Sequence, residues 1–187
     1  MKATLPLTPS QTVGPFFTIA MSNCENEGRL SSPVGNEISG MGEPVILVGR
    51  VFDGEQNMVP DALIEIFQAD AAGSFTNPDF LGFARSHTGN NTDGYYLLKT
   101  IKPGATGSSA APYISAIVYM RGLLTHVYTR IYFSDEIDAN AEDAILAQID
   151  DGRRDTLIAQ RNDSDGVVTY EFNIHMQGDK ETVFFSI

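Results

Sequence analysis

Val45-Ile46-Leu47-Val48-Gly49-Arg50-Val51-Phe52, followed at once by Asp53-Gly54, is the stretch whose reading sets the fold class. The β-branched, apolar run reads as a strand, and the Asp-Gly pair is a turn signal that ends it. The same grammar repeats downstream. Residues 62–68 read as a second strand. Residues 95–100 read as a third, introduced by a second turn signal at Asp93-Gly94. Residues 113–119 and 126–133 follow, joined through Arg121-Gly122. In residues 168–175, Val168, Tyr170, Phe172 and Ile174 face one way and Thr169, Glu171, Asn173 and His175 the other. Residues 182–185 supply a closing apolar run. Helix is sparse: residues 140–149 carry a cap candidate, early acids and helical spacing of Ile145 and Ile149, and residues 155–160 add a turn or two. The pattern predicts a mainly β fold, an antiparallel β-sandwich with one or two short helices and long loops. It occupies a single domain, 1–187, with 1–44 as an N-terminal arm and excursion and 45–187 as the core. Residues 20–44, rich in Gly, Ser, Asn, Glu and Pro, read as a surface excursion.

Composition narrows the function classes. The chain has 187 residues, 42% hydrophobic, enough for a sizeable core. Its net charge of −12 argues against nucleic acid and anionic membrane as partners. An anionic substrate would need a local Arg or Lys to meet it. No apolar run is long enough to span a bilayer. Met1-Lys2-Ala3-Thr4-Leu5-Pro6 lacks the apolar core of a secretory signal, and the lone Cys24 cannot form an internal disulfide, so the expected compartment is the cytoplasm.

The segment Thr8-Pro9-Ser10-Gln11-Thr12-Val13-Gly14-Pro15-Phe16 reads as an ordered arm. Pro9 and Pro15 fix φ and remove donors, Gly14 permits a sharp turn, and the hydroxyls of Thr8, Ser10 and Thr12 tie the backbone locally. This string resembles the corresponding segment of the intradiol ring-cleavage dioxygenases. The resemblance continues through Leu47-x-Gly49-x-Val51, Val59, Ile64-Glu65-Ile66, Gly73-x-Phe75, Asp93-Gly94-Tyr95-Tyr96 and Thr100-Ile101-Lys102-Pro103-Gly104. Gln56 departs from it, standing where the family usually has a small residue. Ala111-Pro112-Tyr113-Ile114, Ala139-Asn140-Ala141, Thr156-Leu157-Ile158-Ala159 and Gln177-Gly178 through Phe185 are similar to the α-type subunits of the family's protocatechuate-cleaving members.

The resemblance implies an oxidoreductase that opens protocatechuate with O2 at a non-haem Fe(III). Catalytic members hold that iron with two tyrosines and two histidines. The first tyrosine position falls on Phe75 and the second near Thr106; the two histidines fall on Tyr113 and Ser115. Such a set lacks the anionic oxygen and imidazole donors that ferric iron favours. The implied arrangement is therefore a chain that binds no metal, has no catalytic residue of its own and is inactive alone. It would join a homologous β subunit that holds the Fe(III), in repeated αβ units. Its implied contribution is pocket wall: Thr12, Gly14 and Pro15 of the arm, and Arg121 as a guanidinium for the substrate carboxylate. On the residues alone, Arg121 reads equally as a loop arginine tied to a surface carboxylate. Arg130 and Tyr132 are accounted for by an ion pair with Asp135-Glu136. His87 reads as solvated, His175 as outward-facing, and His126 as a hydrogen-bonded structural histidine. Two other readings stand beside this one: a homo-oligomeric transthyretin-like binding module without activity, and a metalloenzyme with a site built on Tyr113 and His126.

Overall fold

Burial of alternate side chains builds the core. In the computed structural model, which describes residues 9–12, 14, 21, 34–90, 92–164 and 166–186, ten strands are formed. They are β1 (Pro44–Gly49), β2 (Val51–Phe52), β3 (Leu63–Gln68), β4 (Phe83–His87), β5 (Tyr96–Ile101), β6 (Tyr113–Tyr119), β7 (Val127–Phe133), β8 (Ile158–Ser164), β9 (Val167–Glu171) and β10 (Ile174–His175). Among the described residues, helix comprises α1 (Ile137–Glu142), α2 (Asp151–Arg154), short 3-10 turns and the helical Met21. In β6, Ile114, Ala116 and Val118 are fully buried while Tyr113, Ser115, Ile117 and Tyr119 lie half-buried on the opposite face. Leu47, Ile64, Ile66, Leu98, Ile131, Phe133 and Tyr170 meet the β6 residues in one core.

The fold is mainly β with few short helices, as the pattern predicts, and its strands pair in a mixed way, not wholly antiparallel. Eight of them make one hydrogen-bonded sheet in the order β4-β3-β6-β7-β8-β9-β1-β5, and β10 pairs with β2. Three pairs are parallel: β1 with β9, β7 with β8, and β2 with β10. Continuity comes from β8, whose first residues pair with Tyr132 and Phe133 and whose later residues pair with β9. Residues 34–38 then lie between the two edge strands. The Arg85 amide donates to the Gly35 carbonyl, the Lys99 amide donates to the Asn36 carbonyl, and the Ile38 amide donates back to the Lys99 carbonyl, each at 2.9 Å. The sheet is thereby nearly closed and barrel-like, which covers edges that would otherwise invite pairing with another chain. The polar stretch 20–44 is thus not all surface excursion: its described end closes the sheet and buries Ile38.

Residues 45–52 form two strands rather than one. The chain breaks at Gly49, where β1 ends and the backbone passes against the second break at Phe172-Asn173. The Arg50 amide donates to Asn173 Oδ1 at 2.9 Å, and the buried Tyr96 hydroxyl donates to the Phe172 carbonyl at 2.6 Å. A Cβ on residue 49 would lie 1.8 Å from that carbonyl oxygen, so only glycine fits. Gly49→Ala is expected to destabilise the fold by about 3 kcal/mol, read by denaturant unfolding. A loss near zero would mean that this crossing of backbones is not as close as described.

Three other sequence readings change. The helix expected at 140–149 is displaced: α1 begins at Ile137 and stops at Glu142, because Asp143 turns to an extended conformation and its side chain caps the next turn. Residues 155–160 give a 3-10 turn and then enter β8. The closing run 182–185 makes an isolated bridge to Tyr128 instead of a strand. No helix among the described residues is long and apolar enough to cross a membrane.

Candidate functional site

The outer face of β3, β6 and β7 carries two separate clusters, one at each end. At one end, Phe67 and Phe75 stack with ring centroids 5.3 Å apart, Phe75 meets Tyr113 at 6.5 Å, and Tyr113 meets Tyr132 at 6.1 Å. The Arg130 guanidinium lies over the Tyr113 ring, 4.2 Å from its centroid, a cation–π geometry. Ser115 sits between Phe67 and Arg130 in the strand register. Thr106 is placed only by its backbone, beside Gly73 in the loop before Phe75: a Cβ on Gly73 would lie 1.9 Å from the Ala105 carbonyl and 3.4 Å from the Thr106 amide. Asp135 and Glu136 pair with Lys102 and Arg161. The ion-pair reading of Arg130 is therefore corrected, since its side chain projects from the sheet face while the two acids lie beyond the strand end.

At the other end, the β6–β7 connection meets the arm. The Gly122 amide donates to Thr12 Oγ1 at 3.1 Å, and the Gly14 amide donates to the same oxygen at 3.3 Å. Gly14 has φ +72°, in the left-handed region. Arg121, the neighbour of Gly122, donates Nε to Asp61 Oδ2 at 2.7 Å, and its Nη2 lies 2.7 Å from the same oxygen. Thr12, Gly14 and Arg121 are thus one cluster; Pro15 lies outside the described residues. Below them Tyr119, Leu123, Leu124 and His126 line a small cavity of about 200 Å³. One of these residues, Tyr119, also joins a polar network in which its hydroxyl donates to Glu65 and Glu65 accepts from Arg85 Nε at 2.8 Å. Burial, then the Glu65 charge, push the Tyr119 phenol up. Arg121 stands eight residues along the chain from Tyr113, roughly 25 Å at the rise of an extended strand. The arm cluster and the Phe75–Tyr113 cluster are therefore different places.

The dioxygenase family model matches residues 13–123. The chain belongs to the dioxygenase family. This dioxygenase chain is 43% identical over 195 residues to the protocatechuate 3,4-dioxygenase alpha chain of Burkholderia cepacia, covering 98% of this chain and 99% of that one. It is 28% identical over 162 residues to the protocatechuate 3,4-dioxygenase beta chain of the same organism, covering 76% and 68%. Its fold is similar to that of an intradiol ring-cleavage dioxygenase from Tetranychus urticae, with a TM-score of 0.60, 15% identity, and 90% and 94% of the two chains covered.

The family implies non-haem Fe(III), and the dioxygenase chain's Phe75–Tyr113 cluster does not suit that ion. Phe75 has no donor atom, the Thr106 and Ser115 hydroxyls are far less acidic than phenols, and the Tyr113 ring lies beneath a guanidinium that repels a cation. Tyr132 is held protonated: burial raises its pKa, and although Arg130 opposes this, Asp143 adds to it, to about 12. Among the described residues, no three His, Cys, Asp or Glu side chains gather as metal ligands.

The dioxygenase's histidines differ from the sequence reading in one case. His87, read as solvated, ends β4 and is buried. The polar stretch around it forms an inner edge strand that apolar periodicity does not reveal. His175 stacks on Phe52 at 4.9 Å, and burial followed by Lys180 lowers its pKa. His126 shares a 2.6 Å hydrogen bond with the Tyr128 hydroxyl and lies 5.2 Å from the Tyr119 ring. Tyr113 lies six residues along β6 from Tyr119, roughly 20 Å, so Tyr113 and His126 share no site. Sequence reasoning missed Asp61 and the Arg85–Glu65–Tyr119 network. The hint for the network was Glu65, an acid inside the apolar run Ile64-Glu65-Ile66.

Proposed function

We propose that this chain is the non-iron-binding α subunit of a protocatechuate 3,4-dioxygenase and works in a complex with a homologous, Fe(III)-bearing β subunit. The observation that carries the reading is the 43% identity along almost the whole of a chain named as an alpha chain. The poor fit of Phe75, Thr106, Tyr113 and Ser115 to ferric iron agrees with it. The complex would open 3,4-dihydroxybenzoate between its hydroxylated carbons, with both atoms of O2 ending in the two new carboxylate groups of 3-carboxy-cis,cis-muconate. This chain's part is to bind and orient. Thr12, Gly14 and Pro15 form wall against the aromatic ring of a substrate held in the β subunit. Arg121 meets the substrate carboxylate, offsetting the −12 charge of the chain. The distance between the arm cluster and the Phe75–Tyr113 cluster favours this division, because an arm so placed serves a pocket other than the chain's own iron-less position. Repeated αβ units, and a cytoplasmic setting for them, belong to the same reading. A homo-oligomeric binding module is not favoured, since near full-length identity with an enzyme's subunit is not needed for it.

The test is a comparison of two substrates. Arg121→Ala in the assembled complex is expected to raise KM for protocatechuate by about 10- to 100-fold, the worth of one charge-assisted hydrogen bond. Catechol, which lacks the carboxylate, should change little. Equal effects on both substrates would remove the carboxylate role from Arg121.

A further inference from the structure

Asp61 differs from the carboxylates that cap backbone amides, and, like Glu65, it is buried against an arginine side chain. Asp143 accepts the amides of Ala111, Ile145 and Leu146; Asp70 accepts those of Ala72 and Ser74; Asp53 accepts those of Glu55 and Asn57. Each of those shapes the backbone. Asp61, in the turn that leads into β3, is 8% exposed, yet its Oδ2 goes to the Arg121 side chain and its Oδ1 is buried with no hydrogen-bond partner among the described residues. A buried carboxylate costs desolvation free energy, and one of its oxygens receives nothing in return. Arg121 itself is 53% exposed along its side chain. The pairing therefore holds a half-exposed arginine through Nε and Nη2 and leaves Nη1 out of that pair; Arg121 lies next in sequence to Gly122, whose amide Thr12 accepts.

We infer that Asp61 is a positioning residue, which fixes the plane of the Arg121 guanidinium so that its free edge receives the carboxylate of an aromatic acid bound in the partner's pocket. The inference rests on the proposed role of Arg121. Two effects oppose each other. A free arginine side chain loses rotamer freedom when a ligand orders it, and Asp61 removes that cost beforehand. Asp61 also repels the incoming carboxylate, an effect that its own burial strengthens and that the charge of Arg121 offsets. On the proposed role, holding the guanidinium in place outweighs this repulsion, so removing the Asp61 charge is expected to weaken recognition instead of strengthening it.

The experiment is a double-mutant cycle in the assembled complex. Its readout is the ratio of kcat/KM for protocatechuate to that for catechol, which a merely structural role would not move. Asp61→Asn is expected to lower the ratio about 5- to 10-fold, mainly through KM for protocatechuate, and to have no further effect when Arg121 is already alanine. Asp61→Glu keeps the charge but shifts the guanidinium by a methylene group, and is expected to lower the ratio in the same direction and to assemble even if the asparagine variant does not. An unchanged or raised ratio in the variant that assembles, with Arg121→Ala still lowering it, would overturn the role of Asp61 while leaving that of Arg121. A ratio unmoved by Arg121→Ala would overturn both.

Discussion

Deleting residues 1–15 is expected to lower kcat/KM of the assembled complex for protocatechuate by on the order of 100-fold, the scale of a misplaced reacting group, while its iron content stays unchanged. The reasoning starts from two hydrogen bonds. Thr12 Oγ1 accepts from the Gly122 and Gly14 amides, which ties the arm to the loop that carries Arg121. Among the described residues of the arm, Thr12 is therefore attached to the loop that follows β6. On the proposed reading, removal of the arm takes away wall from a pocket whose metal the partner would hold, so chemistry is expected to suffer and metal retention is not. Parallel measurement of turnover and of iron by elemental analysis checks both halves. Loss of iron together with activity would move the arm's role from substrate wall to assembly. Thr12→Val, which keeps the shape and removes the acceptor, should reproduce a small part of the loss.

Asp143→Ala is expected to destabilise the chain by on the order of 4 kcal/mol. Asp143 is 1% exposed. Its carboxylate accepts the Ala111, Ile145 and Leu146 amides at 2.8–2.9 Å and the Tyr132 hydroxyl at 3.3 Å. Alanine leaves three buried amides and a buried phenol without their acceptor, each costing about 1–3 kcal/mol before relaxation. It also frees the segment Ala111-Pro112 that leads into β6, and with it the Phe75–Tyr113 cluster. Denaturant unfolding gives the number. Asp143→Asn, which retains one acceptor oxygen, should lose about half as much, and equal stability of wild type and alanine variant would refute the bridging role.

What the sequence shows of this fold depends on whether a strand faces the core on one side. Residues 113–119 and 168–175 alternate because one face is buried, and both appear at their expected positions, the second broken only where Asn173 turns to cap Arg50. The strand β8 does not announce itself: Gln160, Arg161, Asn162, Asp163 and Ser164 are polar, and their pairing is fixed by β9 and by Arg161, which bridges Glu43, Asp135 and Tyr170. Its role in joining the sheet's two halves is therefore invisible in periodicity, as is its parallel pairing with β7. Closure by residues 34–38 is hidden for a similar reason, since it uses backbone groups of a polar stretch.

The candidate site divides in the same way. Thr12, Gly14, Arg121, Phe75, Thr106, Tyr113 and Ser115 are named by resemblance to a family motif. Asp61, sixty positions from Arg121, has no motif to mark it, because only the folded chain brings the two together. Likewise, the link from Thr12 to Gly122 spans 110 positions, and neither residue type hints at the other.

Native mass spectrometry of the complex purified from its source organism, under conditions that keep metal bound, tests the central claim most directly. The account predicts an equimolar assembly of this chain with a second, homologous chain, and iron that stays with the second chain when the two are separated. An iron-free homo-oligomer of this chain alone would contradict it.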